Sequence, residues 1–163
     1  MKDAFAVAMA DLGDSPEIRL ILAEVCAVTG MGFAAVARVT EDRWIVCQVE
    51  DKIAFGLNPG DELAIKQTIC DEIRDRGEAI FIDDVTADPD WRMHAVPILY
   101  GFKSYASLPL VQGDGSFFGT LCTIDPEPHS LRTAEMVEAL RAFAIRLSAI
   151  LSASAGANAS AYS

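Results

Sequence analysis

Hydrophobic positions fall into two kinds of period along this chain. From Ser15 the spacing is helical: Ile18, Ile21, Leu22, Val25 and Cys26 recur at 3.6-residue intervals on one face. Ser15 suits the cap, Pro16 the first helical position and Glu17 the positive end, while Gly30 and Gly32 stop the helix. The pattern then turns to strands. Phe33 to Val39 and Trp44 to Val49 read as a hairpin joined by the polar turn Thr40-Glu41-Asp42-Arg43. A loop with Gly56, Asn58, Pro59 and Gly60 leads to a second predicted helix from about Glu62 to Arg76. Its stripe is Ile65, Ile69 and Ile73, and Gly77 lies beyond its end.

Ala79 to Asp83 reads as a short strand. The long segment from Asp84 to Lys103 follows, with Asp88-Pro89 and one short helix expected near Trp91 to Ala95. Ser104 to Val111 and Phe117 to Ile124 form the clearest hairpin, turned by Gly113-Asp114-Gly115-Ser116. Ser130 is the expected cap of a final helix to about Leu151, striped by Met136, Leu140, Phe143, Leu147, Ile150 and Leu151. Hairpins dominate, so the expected fold is α+β with a largely antiparallel sheet of five or six strands. Two strands are apolar on both faces, so both sides of the sheet must be covered. Terminal helices can cover one face, and the second helix and long loop the other, where a pocket could form. Residues 1–14 read as an N-terminal extension, 15–152 as the domain, and 153–163 as a disordered Ala/Ser-rich tail ending at a natural terminus.

Composition narrows the partners. Among 163 residues, 24 acidic side chains against 13 basic give a net charge of -11. That balance disfavours nucleic acid and anionic membrane surfaces, whose phosphates are bound through Lys and Arg. No apolar run reaches the length of a membrane span, and the N-terminus lacks the basic region of an export signal, so a cytoplasmic protein is expected. Cys26, Cys47, Cys70 and Cys122 include no C-x-x-C pair and read as reduced, buried thiols.

The second half carries a motif. Tyr105-Ala106-Ser107-Leu108-Pro109-Leu110, then Gly115, Gly119, Leu121 and Asp125, resemble the "Y-x-x-x-P-L … G-x-x-x-G-x-L-x-x-x-D" signature of the GAF family. Upstream, Gly77-Glu78, Asp84-Val85 and Asp88-Pro89-Asp90-Trp91 resemble that family's "G-E-P … D-v … D-P-x-W/F" approach. The resemblance covers roughly Ser15 to Leu151 and points to the sensor-type branch associated with phytochromes and histidine kinases, hence to two-component signalling. It implies a PAS-related sheet with terminal helices on one face and a helix plus long loop over a pocket on the other. It also implies a small-molecule ligand, a homodimer through the terminal helices, and a signal passed to a partner protein, or within a larger sensor of which this chain is a piece.

Pocket residues implied by the resemblance are Thr120 and Cys122 on the last strand and Tyr105 and Ser107 beside them. Trp91, His94, Tyr100 and Phe102 would close the pocket from the loop. Equally, these aromatics could fill the core of a ligand-free dimerisation or adaptor module. Alternation puts Phe118, Thr120, Cys122 and Ile124 on one face of the last strand and Phe117, Leu121 and Thr123 on the other. His94 could line the pocket or lie on the surface; His129, among prolines, reads as exposed. Either could ligate haem iron.

The acidic run Asp83, Asp84, Asp88 and Asp90 reads as loop-capping groups rather than a cation site. No Cys-His pair for a bilin and no Asn-Lys-Phe-Asp-Glu set for a cyclic nucleotide is present, and the sequence specifies no cofactor. The enzymatic alternative is the family's free methionine-R-sulfoxide reductase branch, in which a thiolate attacks the sulfoxide and a second cysteine resolves the intermediate. Cys70 and Cys122 would be its candidates. That branch places cysteines before the fourth strand, however, and Asp84 to Lys103 contains none.

Overall fold

The computed structural model describes residues 3–63, 77–88 and 101–162, with side chains to residue 153. Helix α1 (Ala4–Gly13) comes first, in the stretch expected to be a mere extension. The Asp3 carboxylate caps it by accepting the Ala6 N–H at 2.9 Å. Arg43 binds the same carboxylate and holds it below its ordinary pKa, and also reaches Glu62, so α1 is tied to the sheet edge. Helix α2 (Pro16–Thr29) matches its sequence signals: Ser15 Oγ accepts the Ile18 N–H, and Gly30 closes the helix at φ 76°. That left-handed conformation is one a glycine adopts without Cβ strain.

Strands β1 (Phe33–Val39), β2 (Trp44–Asp51), β3 (Glu62–Leu63), β4 (Ile80–Ile82), β5 (Ser104–Val111) and β6 (Phe117–Asp125) form one sheet in the order β3-β2-β1-β6-β5-β4. Every described pairing is antiparallel. The sheet thus has six strands, within the α+β, largely antiparallel architecture of five or six strands expected. Glu62 and Leu63, assigned from sequence to the start of a helix, instead pair with Ile45 and Trp44 as an edge strand. The remainder of that predicted helix, with Cys70, lies outside the described residues. So does the short helix expected near Trp91 to Ala95. Of the segment after β4, Val85–Ala87 forms a 3-10 turn capped by Asp84.

The last helix, α3, begins at Ala134 rather than after Ser130. Thr133 Oγ1 accepts the Met136 N–H, so the cap is Thr133. Ser130 falls in a linker whose His129, Leu131 and Arg132 amides donate to Asp83. The helix continues to Tyr162, past the Leu151 end and through the stretch expected to be disordered. Alanine favours the helix, and no proline interrupts the segment.

The three described helices all cover one face. Ile18, Ile21, Leu22 and Val25 of α2 and Leu140, Phe143, Leu147 and Leu151 of α3 form one core with Val36, Leu108, Leu110, Phe118 and Leu121 of the sheet. Phe118 is a correction to strict alternation. The β5–β6 register jumps from Leu110↔Gly119 to Val111↔Phe117, leaving Phe118 in a bulge. Its ring therefore turns to the helix side while Phe117 joins Cys122 on the other. Arg38 braces the bulge, donating to the Phe117 and Phe118 carbonyls with its guanidinium 5.1 Å from the Phe118 ring centre. Among the described residues no helix is long and apolar enough to cross a membrane.

Candidate functional site

The face opposite the helices is a second apolar surface. Phe33, Ala35, Ile82, Phe102, Tyr105 and Ile124 form one patch, and Ala37, Val39, Trp44, Val46 and Cys122 the next. Against it lies a cavity of about 470 Å³. Among the described residues it is lined by Ile53, Ala54, Phe55, Leu57, Leu63, Gly101, Phe102, Ile124 and Pro126. Its size falls within the range of small-molecule sites, whose walls are predominantly apolar. Two aromatic pairs flank it: Phe33 and Phe55 at 5.1 Å, tilted, and Phe102 and Tyr105 at 5.3 Å, stacked. The buried Trp44 Nε1–H, in the patch that shares Leu57 and Leu63 with the cavity, has no acceptor among the described residues. Leaving such a donor unpaired costs about 1–3 kcal/mol.

Of the residues proposed from sequence, Phe102 lines this cavity. Tyr105 stacks on it from β5, and Ser107, Thr120 and Cys122 lie further along the same face, all buried. The last three meet: Cys122 Sγ is 2.9 Å from Thr120 Oγ1 and 3.4 Å from Ser107 Oγ. Trp91, His94 and Tyr100 lie outside the described residues. Sequence reasoning missed Ile53, Phe55, Leu57, Leu63, Ile124 and Pro126. A usable signal was the alternation of Ile53, Phe55 and Leu57, a period-2 pattern inside what read as an ordinary loop.

A polar junction joins the cavity rim to both terminal helices. Asp125 Oδ1 accepts the Gly32 N–H at 2.9 Å, just beyond α2. Oδ2 accepts the Glu127 N–H at 3.0 Å and lies 3.0 Å from His129 Nε2. The His129 ring packs beside Gly30, and its backbone N–H donates to the Asp83 carbonyl. His129, expected simply to be exposed, is thus half-buried in a bonded position, because the Pro126–Pro128 turn folds it back over the α2 terminus. Asp83 Oδ1 accepts the Leu131 and Arg132 N–H groups, and Arg132 pairs with Asp88 at 3.0 Å. Asp84 caps the 3-10 turn and is held below its ordinary pKa, first by the Thr86 hydroxyl. These acids act as loop-fastening groups, and Asp90 lies outside the described residues.

The thiols differ in setting. Burial pushes Cys26 up to about 11 and Cys47 up to about 12, so both are protonated and weakly nucleophilic at neutral pH. Both sit in the helix-side core, away from the cavity face.

The family model for the GAF domain matches residues 17–151. No curated protein matches the chain. Among solved structures, the GAF domain region of a putative membrane protein from Geobacter sulfurreducens PCA is similar at 17% identity and TM-score 0.67, over 86% of this chain and 93% of that one. The GAF-B domain of DevS from Mycobacterium smegmatis is 17% identical with TM-score 0.63, over 86% and 93%. The type II free methionine-R-sulfoxide reductase from Thermoplasma acidophilum is 10% identical with TM-score 0.65, over 88% and 94%. At these identities the likeness is one of fold.

Proposed function

The chain belongs to the GAF domain family, and we propose that it is a small-molecule-sensing domain that relays occupancy of its cavity through the terminal helices to a cytoplasmic partner. One observation carries the reading: a cavity of about 470 Å³ with aliphatic and aromatic walls, on the sheet face turned away from those helices. Tyr105, Ser107, Thr120 and Cys122 are the proposed continuation of the site along the sheet, with Trp91, His94 and Tyr100 proposed to close it. The Asp125 junction supports the relay. Ile124 and Pro126 of the wall flank Asp125, which bonds next to α2 and begins the linker into α3. Ligand pressure on the wall would therefore reach both helix ends through short, bonded segments.

The test is direct. Titration with the neutral fluorophore N-phenyl-1-naphthylamine should show saturable binding of one probe per chain, and Leu57→Trp, which fills the cavity, should weaken it at least tenfold. A native chain that binds no probe saturably would remove the basis of the sensor reading.

We also propose that the relay operates in a homodimer. Leu20 is 60% exposed and Ile145 70% exposed, unusual values for large aliphatic side chains on packed helices. Leu20, Glu24 and Val28 share a stripe of α2, and Glu24 pairs at 3.3 Å with Arg146, the neighbour of Ile145 on α3. Leu20 and Val28 thus border this ion pair on α2, while Ile145 stands next along α3 on its β5 side, beside Val111 and Ser148. Light scattering at micromolar concentration should give the mass of two chains. Leu20→Glu combined with Ile145→Glu should raise the dimer dissociation constant by about 100-fold or more, since like charges meet across a symmetric contact. A native mass of one chain would refute the dimer.

A further inference from the structure

Resting on the cavity reading above, we infer that Asp51 is the positioning residue of this cavity, and that the wall it holds, residues 52–57, selects an uncharged, flat, apolar ligand. Asp51 ends β2, paired with Phe33 at the start of β1. Its carboxylate gathers the segment that follows. Oδ1 accepts the Ile53 N–H at 3.2 Å and the Phe55 N–H at 3.0 Å, and Oδ2 accepts the Gly56 N–H at 2.9 Å. Three donors converging on one carboxylate curl the backbone around it. Between them Ala54 stands at φ 54°, the one described non-glycine residue in the left-handed region. An L-residue with a Cβ stays there only where surrounding bonds over-determine it.

The consequence is a wall of defined sidedness. Ile53, Phe55 and Leu57 are half-buried and line the cavity, whereas Lys52, Gly56 and Asn58 are exposed. The sheet fixes the near end of the wall: Lys52 N–H donates to the Gly32 carbonyl at 2.7 Å, and Ile53 lies where any side chain at Gly32 would collide with it. Phe55 rests on Phe33. The rest of the segment depends on Asp51. Without its three bonds Ala54 can leave the left-handed region, and the placement of Phe55 and Leu57 is released. The hydrocarbon surfaces of Ile53, Phe55, Leu57, Leu63, Phe102, Ile124 and Pro126 favour apolar contact with a ligand, and the two aromatic walls favour a flat one.

The experiment compares native chain, Asp51→Ala and Asp51→Asn by N-phenyl-1-naphthylamine titration, thermal melting and residue-resolved amide exchange. Asp51→Ala should weaken the probe about tenfold, as expected when a pre-organised wall is lost. It should also speed exchange at Ile53, Phe55 and Gly56 while moving the melting temperature by about 3 °C at most. Asp51→Asn keeps one carbonyl oxygen for Ile53 and Phe55 but offers an amine to Gly56, so its affinity should fall between the two. Unchanged affinity in both variants, with the native chain binding, would overturn the positioning role. So would a collapse of the melting temperature in both, which would make Asp51 a general support of the fold. A native chain that fails to bind would instead sink the cavity reading, and this inference with it.

Discussion

Gly119→Ala is expected to cost on the order of 3–5 kcal/mol, enough to leave a domain of ordinary stability only marginally folded. A Cβ at this position would fall far inside contact distance of the Ala37 carbonyl oxygen, and close to Ala37 C and Arg38 Cα as well. All three atoms belong to the backbone of β1, which is paired on both sides, by β2 and by β6. A clashing side chain can swing away; a central strand cannot move without disturbing two ladders. The requirement is therefore for close approach of main chains. Gly113→Ala is the control, since nothing lies within 4 Å of its built Cβ. Urea unfolding should find that control within about 0.5 kcal/mol of native. Equal midpoints for the two variants would show that β6 can shift away from β1, contrary to this packing.

The same glycine shows what the sequence made readable. Gly119 stood out as a motif residue, and local alternation with cap signals located α2, β1, β2, β5 and β6 nearly to the residue. Period-based reading failed where the period was broken or absent. The bulge at Phe118 reverses side-chain parity in the middle of β6, and no alternation count from its neighbours reveals it. Helix α1 escaped because apolar residues surround its axis, with Val7 exposed, so no single stripe marks a buried face. The continuation of α3 escaped because alanine and serine composition is compatible with coil and helix alike.

The site was less legible than the fold for a different reason. The pocket residues proposed from sequence were those of the motif strands. The described cavity, however, is walled largely by the loop after β2 and the end of β6. Gly56, Asn58, Pro59 and Gly60 mark that loop as irregular, and irregularity conceals that Asp51 folds part of it into an ordered wall. Asp125 is the sharper case. It could be read as the residue that ends a strand, but its bond to the Gly32 N–H spans 93 positions. Spacing along a chain carries no trace of such a contact. It exists because β1 and β6 are neighbours in the sheet, with Phe33 opposite Ile124.

That bond leads to the second large effect. Asp125→Ala should destabilise the domain by on the order of 3 kcal/mol, because a nearly buried carboxylate with two N–H donors and one imidazole nitrogen is removed at once. Hydrogen bonds to a charged acceptor are worth about 1.5–3 kcal/mol each, and the abandoned Gly32 and Glu127 amides must find new partners. The sum is not additive, since water can enter a rim that is only partly closed. Asp125→Asn should lose less: its carbonyl can still serve Gly32, while its amine faces Glu127 N–H, a donor against a donor. His129→Ala should cost about 1 kcal/mol, as its ring remains partly exposed. In the double variant Asp125→Ala with His129→Ala, the losses should fall short of their sum, because the histidine has no partner once Asp125 is gone. Denaturant unfolding of the four proteins measures this cycle. Strict additivity would mean that the Asp125–His129 pair carries no coupling energy, leaving the Gly32 and Glu127 amides as the bonds through which Asp125 ties the cavity rim to the helix ends.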